Sequence, residues 1–186
     1  ILDKNLDGNI ADSGFCNDRS LAERANNGDG VSLDIETHYT GYKRIMTDTA
    51  PSYICPNKER DLFTLRTNEI LGNKALTYPV GLITADEVTY VGGYDGQENS
   101  NYFLYTNMDY MSYVYSNYTY WTMTPAIFSN STSTANEFML YSLAGTLQTN
   151  SVSQTPMVRP VINLSKDTLI SGGIGTSNNP FVIKTS

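Results

Sequence analysis

Tyr120-Trp121-Thr122-Met123-Thr124-Pro125 and, about thirty residues on, Val158-Arg159-Pro160-Val161-Ile162-Asn163-Leu164 decide how this chain reads. The first stretch holds the only Trp, and the second sets an Arg among apolar neighbours. Between them run short alternating segments broken by Asn, Ser, Thr and Gly, the pattern of a compact β domain with a polar surface. Trp121 reads as core, since an indole carries a large apolar area. Arg159 reads as structural, pinning two elements together, because a guanidinium cannot shed its charge and must find a carboxylate or carbonyls.

Working outward, Tyr78-Pro79-Val80-Gly81-Leu82-Ile83 reads as a buried strand. Thr84-Ala85-Asp86-Glu87 then forms a capping box, the Thr84 hydroxyl taking the Glu87 amide while the Glu87 carboxylate reaches back. Gly92-Gly93 stops the short helix. Residues 118–123 read as a strand, and 138–143 and 146–148 flank Ala144-Gly145 as a hairpin. Residues 157–164 read as a further buried strand, and 168–170 with 181–183 as a terminal hairpin. Residues 1–75 are loop-rich, with a short helix expected over 21–25 and a helix or a strand within 61–70. Residues 76–186 form the β-rich part, and the two together are expected to make one domain.

A chain of 186 residues suits one domain and hides roughly 70% of its unfolded surface. The net charge of −7, with no basic run, argues against nucleic acid as a partner. No apolar run approaches the ~18 residues of a membrane span, so membrane insertion is not expected. The opening Ile1-Leu2-Asp3-Lys4 is no signal peptide, which suggests a removed leader or a start partway into a longer protein. Cys16 and Cys55 both sit in turn-like contexts. A disulfide between them is expected, closing a loop worth ~3–4 kcal/mol by chain entropy, with two separate buried thiols as the alternative.

Asp3, Asn5, Asp7 and Asn9 fit the first half of a calcium loop, with Gly8 at the sharp turn. The twelfth position is Gly14 rather than a bidentate carboxylate, and Asp12 falls two residues short. An Asx-rich turn is therefore favoured, with calcium as the weaker reading and no other cofactor expected. Glu87 is explained by its cap, and no second acid is fixed beside Asp86 as glycoside cleavage would need. His38 lies far from any Gly-x-Ser-x-Gly motif and reads as a loop histidine. The tyrosine-rich segment reads either as ordinary packing, with some tyrosines facing the core, or as a recognition surface, for which Asp95, Asn99, Asn101, Tyr105, Asp109, Tyr113 and Tyr115 carry the polar and aromatic groups that recognition loops use. Residues 130–136 supply a second loop.

Taken together, Gly14-Phe15-Cys16-Asn17-Asp18-Arg19, the run from Leu76-Thr77 to Asp86-Glu87, and the Trp121 and Arg159 stretches resemble a domain family of undefined function. That family recurs in secreted and surface proteins of gut-dwelling Gram-positive bacteria, and it looks related to the C-type-lectin-like and formylglycine-generating-enzyme-like fold. The resemblance implies an α+β domain of short strands, long loops and a few short helices, with the Trp and Arg motifs as framework and no catalytic residue. The Glu-Pro-Asn and Trp-Asn-Asp calcium signatures of sugar-binding C-type lectins are absent, as are the paired catalytic cysteines of the formylglycine enzymes. Similar members carry more sequence upstream, which leaves a sheet edge open to strand pairing with another chain. The expected function is a non-catalytic extracellular recognition or adhesion module of a bacterial surface protein, binding a glycan or a host or bacterial surface protein. A structural subunit of a surface or pilus-like assembly is the alternative, and a carbohydrate-active enzyme the third.

Overall fold

The structure, a computed structural model, describes residues 10–11, 14–22, 36–65, 76–93, 119–129, 133–141, 146–175 and 179–184. In chain order its strands are β1 (Phe15–Cys16), β2 (Glu36–His38), β3 (Leu62–Phe63), β4 (Thr119–Ser129), β5 (Thr134–Tyr141), β6 (Thr146–Ser151), β7 (Ile170–Gly172) and β8 (Val182–Ile183). The helices are α1 (Thr40–Tyr42), which runs into a π-helical turn at Lys43–Thr47, then α2 (Lys58–Asp61) and α3 (Ala85–Tyr90). The fold is α+β and mostly sheet, with a few short helices. Its centre is an antiparallel sheet in the order β2-β4-β5-β6; β1-β3 and β7-β8 are separate two-stranded pairs.

Strict alternation along β4 places Tyr120, Thr122, Thr124 and Ala126 on the buried face. Three of these four are polar or part-polar, and two threonines are used structurally. Between Trp121 and Pro125 the ladder to β5 shifts register, as a Pro without an N–H requires. Thr122 Oγ1 donates to the Phe138 carbonyl at 2.8 Å, filling the gap that the shift opens. Thr124 Oγ1 accepts the Ala85 amide at 2.9 Å, one of the orphan donors at the start of α3. The strand thus docks α3 onto the sheet, and the core of Ile45, Ala85, Val88, Ala126, Phe138 and Leu147 closes between helices and sheet. Gly41 lets α1 lie against β4, since a Cβ there would come within 2.6 Å of the Thr124 methyl.

Several expectations are corrected. Residues 78–83 and 157–164 are not buried strands: they meet each other through one antiparallel bridge, Gly81 to Val161, and Tyr78, Val158, Ile162 and Leu164 are exposed. Pro79 and Pro160 each remove a ladder donor beside that bridge. Both segments instead bond to β4 at isolated points: Met123 N donates to the Ile83 carbonyl, while Trp121 N donates to the Met157 carbonyl and Met157 N to the Thr119 carbonyl. Trp121 is half-buried on the face away from the core, and Tyr120 is the buried aromatic of that stretch. Leu21 and Ala22, at the start of the expected 21–25 helix, are extended and bonded to the 38–39 backbone; residues 23–25 lie outside the described residues. Within 61–70, α2 ends at Asp61 and β3 follows directly. β5 and β6 pair as a hairpin would, though Ala144-Gly145 lies outside the described residues. Residues 168–170 and 181–183 contribute to the β7-β8 pair. Among the described residues no helix is long and apolar enough to cross a membrane.

Candidate functional site

A cleft of about 130 Å³ opens where β1, the π-helical turn, the 52–55 segment and the start of α3 converge. Its floor is an ion-pair network centred on Arg44. Nε and Nη2 of Arg44 donate to the two oxygens of Asp86 at 3.0 and 2.9 Å, a two-point fork. Nη1 donates to Asp18 Oδ2 at 2.7 Å. Asp18 also accepts from the Thr40 hydroxyl and the Ser20 amide, and Asp86 Oδ1 accepts the Ser52 amide at 2.8 Å. Burial works against the charge of Arg44, but Asp86 and Asp18 outweigh it and raise its pKa above the ordinary value. Burial likewise pushes Asp18 up, and hydrogen bonds from Thr40 and Arg44 more than reverse it, so its pKa ends lower than usual.

Glu87 stands on the rim. Its Oε2 takes the Thr84 amide at 2.7 Å and the Thr84 hydroxyl at 2.9 Å, while the Thr84 hydroxyl takes the Glu87 amide at 3.1 Å. Asp18, Asp86 and Glu87 around this cleft thus all accept hydrogen bonds from neighbouring groups of the fold.

Tyr53, which lines the cleft, pairs with an exposed aromatic of α3, Tyr90. The rings of Tyr53 and Tyr90 stack with centroids 4.1 Å apart and planes within 9° of parallel. Tyr53 is 66% exposed and Tyr90 49%, and Ile54 and Val91 beside them are exposed too. Tyr53 is fixed from both sides: Ser52 is bonded to Asp86, and Cys55 is bonded to Cys16 in a disulfide with Cα atoms 5.8 Å apart. Tyr90 projects from the last turn of α3, one turn beyond Asp86. The Tyr53 hydroxyl titrates above its ordinary range through partial burial, the nearby Glu87 charge and Tyr90. A disulfide persists in oxidising, non-cytoplasmic surroundings, and Cys16–Cys55 points there.

Asp95, Asn99, Asn101, Tyr105, Asp109, Tyr113 and Tyr115 lie outside the described residues, as do Asp3, Asn5, Asp7 and Asn9. Among the described residues no group of three or more His, Cys, Asp or Glu side chains is placed to hold a metal ion. Arg159 lies over the buried Tyr120 ring, its Cζ 4.3 Å from the centroid, with Nη2 3.2 Å from the Tyr120 hydroxyl. His38 sits on β2, bonded to Glu36 at 2.7 Å and packed against Tyr42. Arg44, Tyr53 and Tyr90 escaped the sequence reading. Their one local signal was Tyr53-Ile54 preceding Cys55, a segment that a disulfide would anchor.

Comparison with family models, curated proteins and solved structures gives no match for this chain.

Proposed function

We propose that this chain is a non-catalytic recognition or adhesion module of a bacterial surface protein, a C-type-lectin-like scaffold that binds a glycan or a protein outside the cell. The observation that carries this is the Tyr53–Tyr90 pair, two parallel rings held in solvent beside a cleft whose acids are already bonded. Stacked, rigid tyrosines offer large contact area at low entropic cost, and their hydroxyls add polar recognition. A sugar ring laid on such a platform gains apolar contact while the Tyr hydroxyls meet its hydroxyl groups. The disulfide accords with a secreted or surface location. A glycan array combined with a pull-down on host mucin tests this, and silence in both with an intact fold would count against it.

One observation favours a second reading, a structural subunit of a surface or pilus-like assembly. Leu169, Ile170, Ile174, Phe181 and Val182 are all exposed on and around the β7-β8 pair, a concentration of apolar side chains that often marks an interface. Concentration-dependent self-association in sedimentation velocity supports that reading, and a strict monomer removes it.

A further inference from the structure

The arginines and aspartates in and behind the cleft balance one another. Arg44 holds Asp86 and Asp18, and Arg19 and Arg60 hold Asp61. The Asp18 charge also acts on Arg60. Glu87 is the cleft-lining carboxylate outside this set. Among the described residues no Lys, Arg or His pairs with it. Both of its side-chain bonds to Thr84 fall on Oε2, so Oε1 meets no donor among the described residues.

Tyr53 lines the same cavity, within reach of the Glu87 charge. Stacking on Tyr90 covers one face of the Tyr53 ring, yet the residue is 66% exposed, so the other face is open. An aromatic face attracts cations through its quadrupole. Asn163 lines the cavity too, and its side-chain amide makes no bond among the described residues, which adds a neutral acceptor. A carboxylate oxygen without a counter-charge, an open ring and an amide oxygen are all complementary to positive charge. A metal ion would need several oxygen ligands at once, and no such group stands among the described residues. An ammonium group needs only one carboxylate, an acceptor and an aromatic face. The cavity of about 130 Å³ has room for it, while the exposed rings beside the cavity offer a surface on which a sugar ring can lie.

We propose that this cavity takes a protonated primary amine carried on a saccharide, an amino sugar left unacetylated, with Glu87 Oε1 as its counter-charge and the sugar ring on Tyr53. The net charge of −7 favours the approach of a cationic ligand. A linear lysine side chain would satisfy Glu87 but leave the ring surface bare. The proposal rests on the recognition surface assigned to the Tyr53–Tyr90 pair and names the chemistry that surface selects.

The test is an NMR titration of the whole chain with the trimers of glucosamine, N-acetylglucosamine and glucose at constant ionic strength, beside a glycan array. Saturable shifts of the Tyr53 and Tyr90 ring resonances are expected with the glucosamine trimer, and roughly tenfold or more weaker affinity for the other two. Glu87→Gln removes the charge and keeps a residue that completes the capping box, so it should stay folded and lose the preference for the amine. The ligand series on the native chain decides the matter even if that variant unfolds. Equal affinity for the three trimers, or no trimer binding while the array gives a neutral glycan, overturns the amine site and leaves the recognition surface standing. Silence of the trimers and of the array overturns both. An unchanged preference in folded Glu87→Gln overturns the role of Glu87, and Nα-acetyl-lysine amide binding as tightly as the glucosamine trimer overturns the assignment to a saccharide.

Discussion

Arg44 grips Asp86 at both carboxylate oxygens while its remaining nitrogen holds Asp18, so one side chain ties the π-helical turn to α3 and to the segment after β1. Replacing it leaves two largely buried carboxylates without their counter-charge. Arg44→Met should therefore cost about 3–5 kcal/mol, read as a lower urea midpoint at an unchanged slope. A loss below about 1 kcal/mol would mean that solvent replaces the guanidinium and that the network is not what positions the cleft.

The pH dependence of stability has two limbs. Burial raises the Glu137 pKa from 4.5 to about 7, so the folded chain keeps a proton that the unfolded chain releases. Stability should then fall as pH rises from 4.5 to about 7. Asp18 and Asp61 titrate below their ordinary 3.8. The stability they give is present above that value and is lost as pH falls through their folded-state values. Glu137→Gln should raise the urea midpoint at pH 8, match the native chain near pH 4, and flatten the upper limb. Equal midpoints at pH 8 would show that Glu137 ionises freely in the fold.

Reduction of Cys16–Cys55 opens a clasp between residues 39 apart in sequence. Cys16→Ser with Cys55→Ser should lose about 2–5 kcal/mol. Because Tyr53 lies two residues from Cys55, the variant should also lose the ring-current shifts of the Tyr53–Tyr90 stack before global unfolding. Retention of those shifts would assign the stack's order to the Ser52–Asp86 bond alone.

Gly81 stands where a Cβ would meet the Phe15 ring at 2.3 Å. Gly81→Ala should cost roughly 1–3 kcal/mol by overpacking, checked by thermal melting. A neutral result would show that Phe15 swings aside.

What could be read from residues alone follows the range of the interactions. The Thr84–Glu87 capping box and the β5-β6 pair involve neighbours or a short connection, and their residue types declare them. The disulfide needed only that two cysteines exist in turn-like segments. Alternation along 118–123 announced a strand but could not say which face turns inward. Trp121 has the larger apolar area, yet Tyr120 shares a face with Thr122 and Thr124, whose hydroxyls dock α3 and bridge the register shift. Residues 78–83 and 157–164 are apolar enough for strands, but their prolines interrupt the ladder and they pair through isolated bridges, a single one of them between the two segments. Arg44 was invisible because its partners lie 26 and 42 residues away. The Tyr53–Tyr90 stack was invisible for the same reason, being a by-product of that network and of the disulfide.

The most direct measurement is a glycan array run in parallel on the native chain and on the Tyr53→Ala, Tyr90→Ala double variant, with melting curves for both. The rings are largely in solvent, so the double variant should melt within a few degrees of the native chain, the stack contributing about 0.5–1.5 kcal/mol. The native chain should bind at least one glycan, and the variant should lose that signal. A native chain that binds nothing, or a folded variant that binds as well, would contradict a recognition surface built on these two rings.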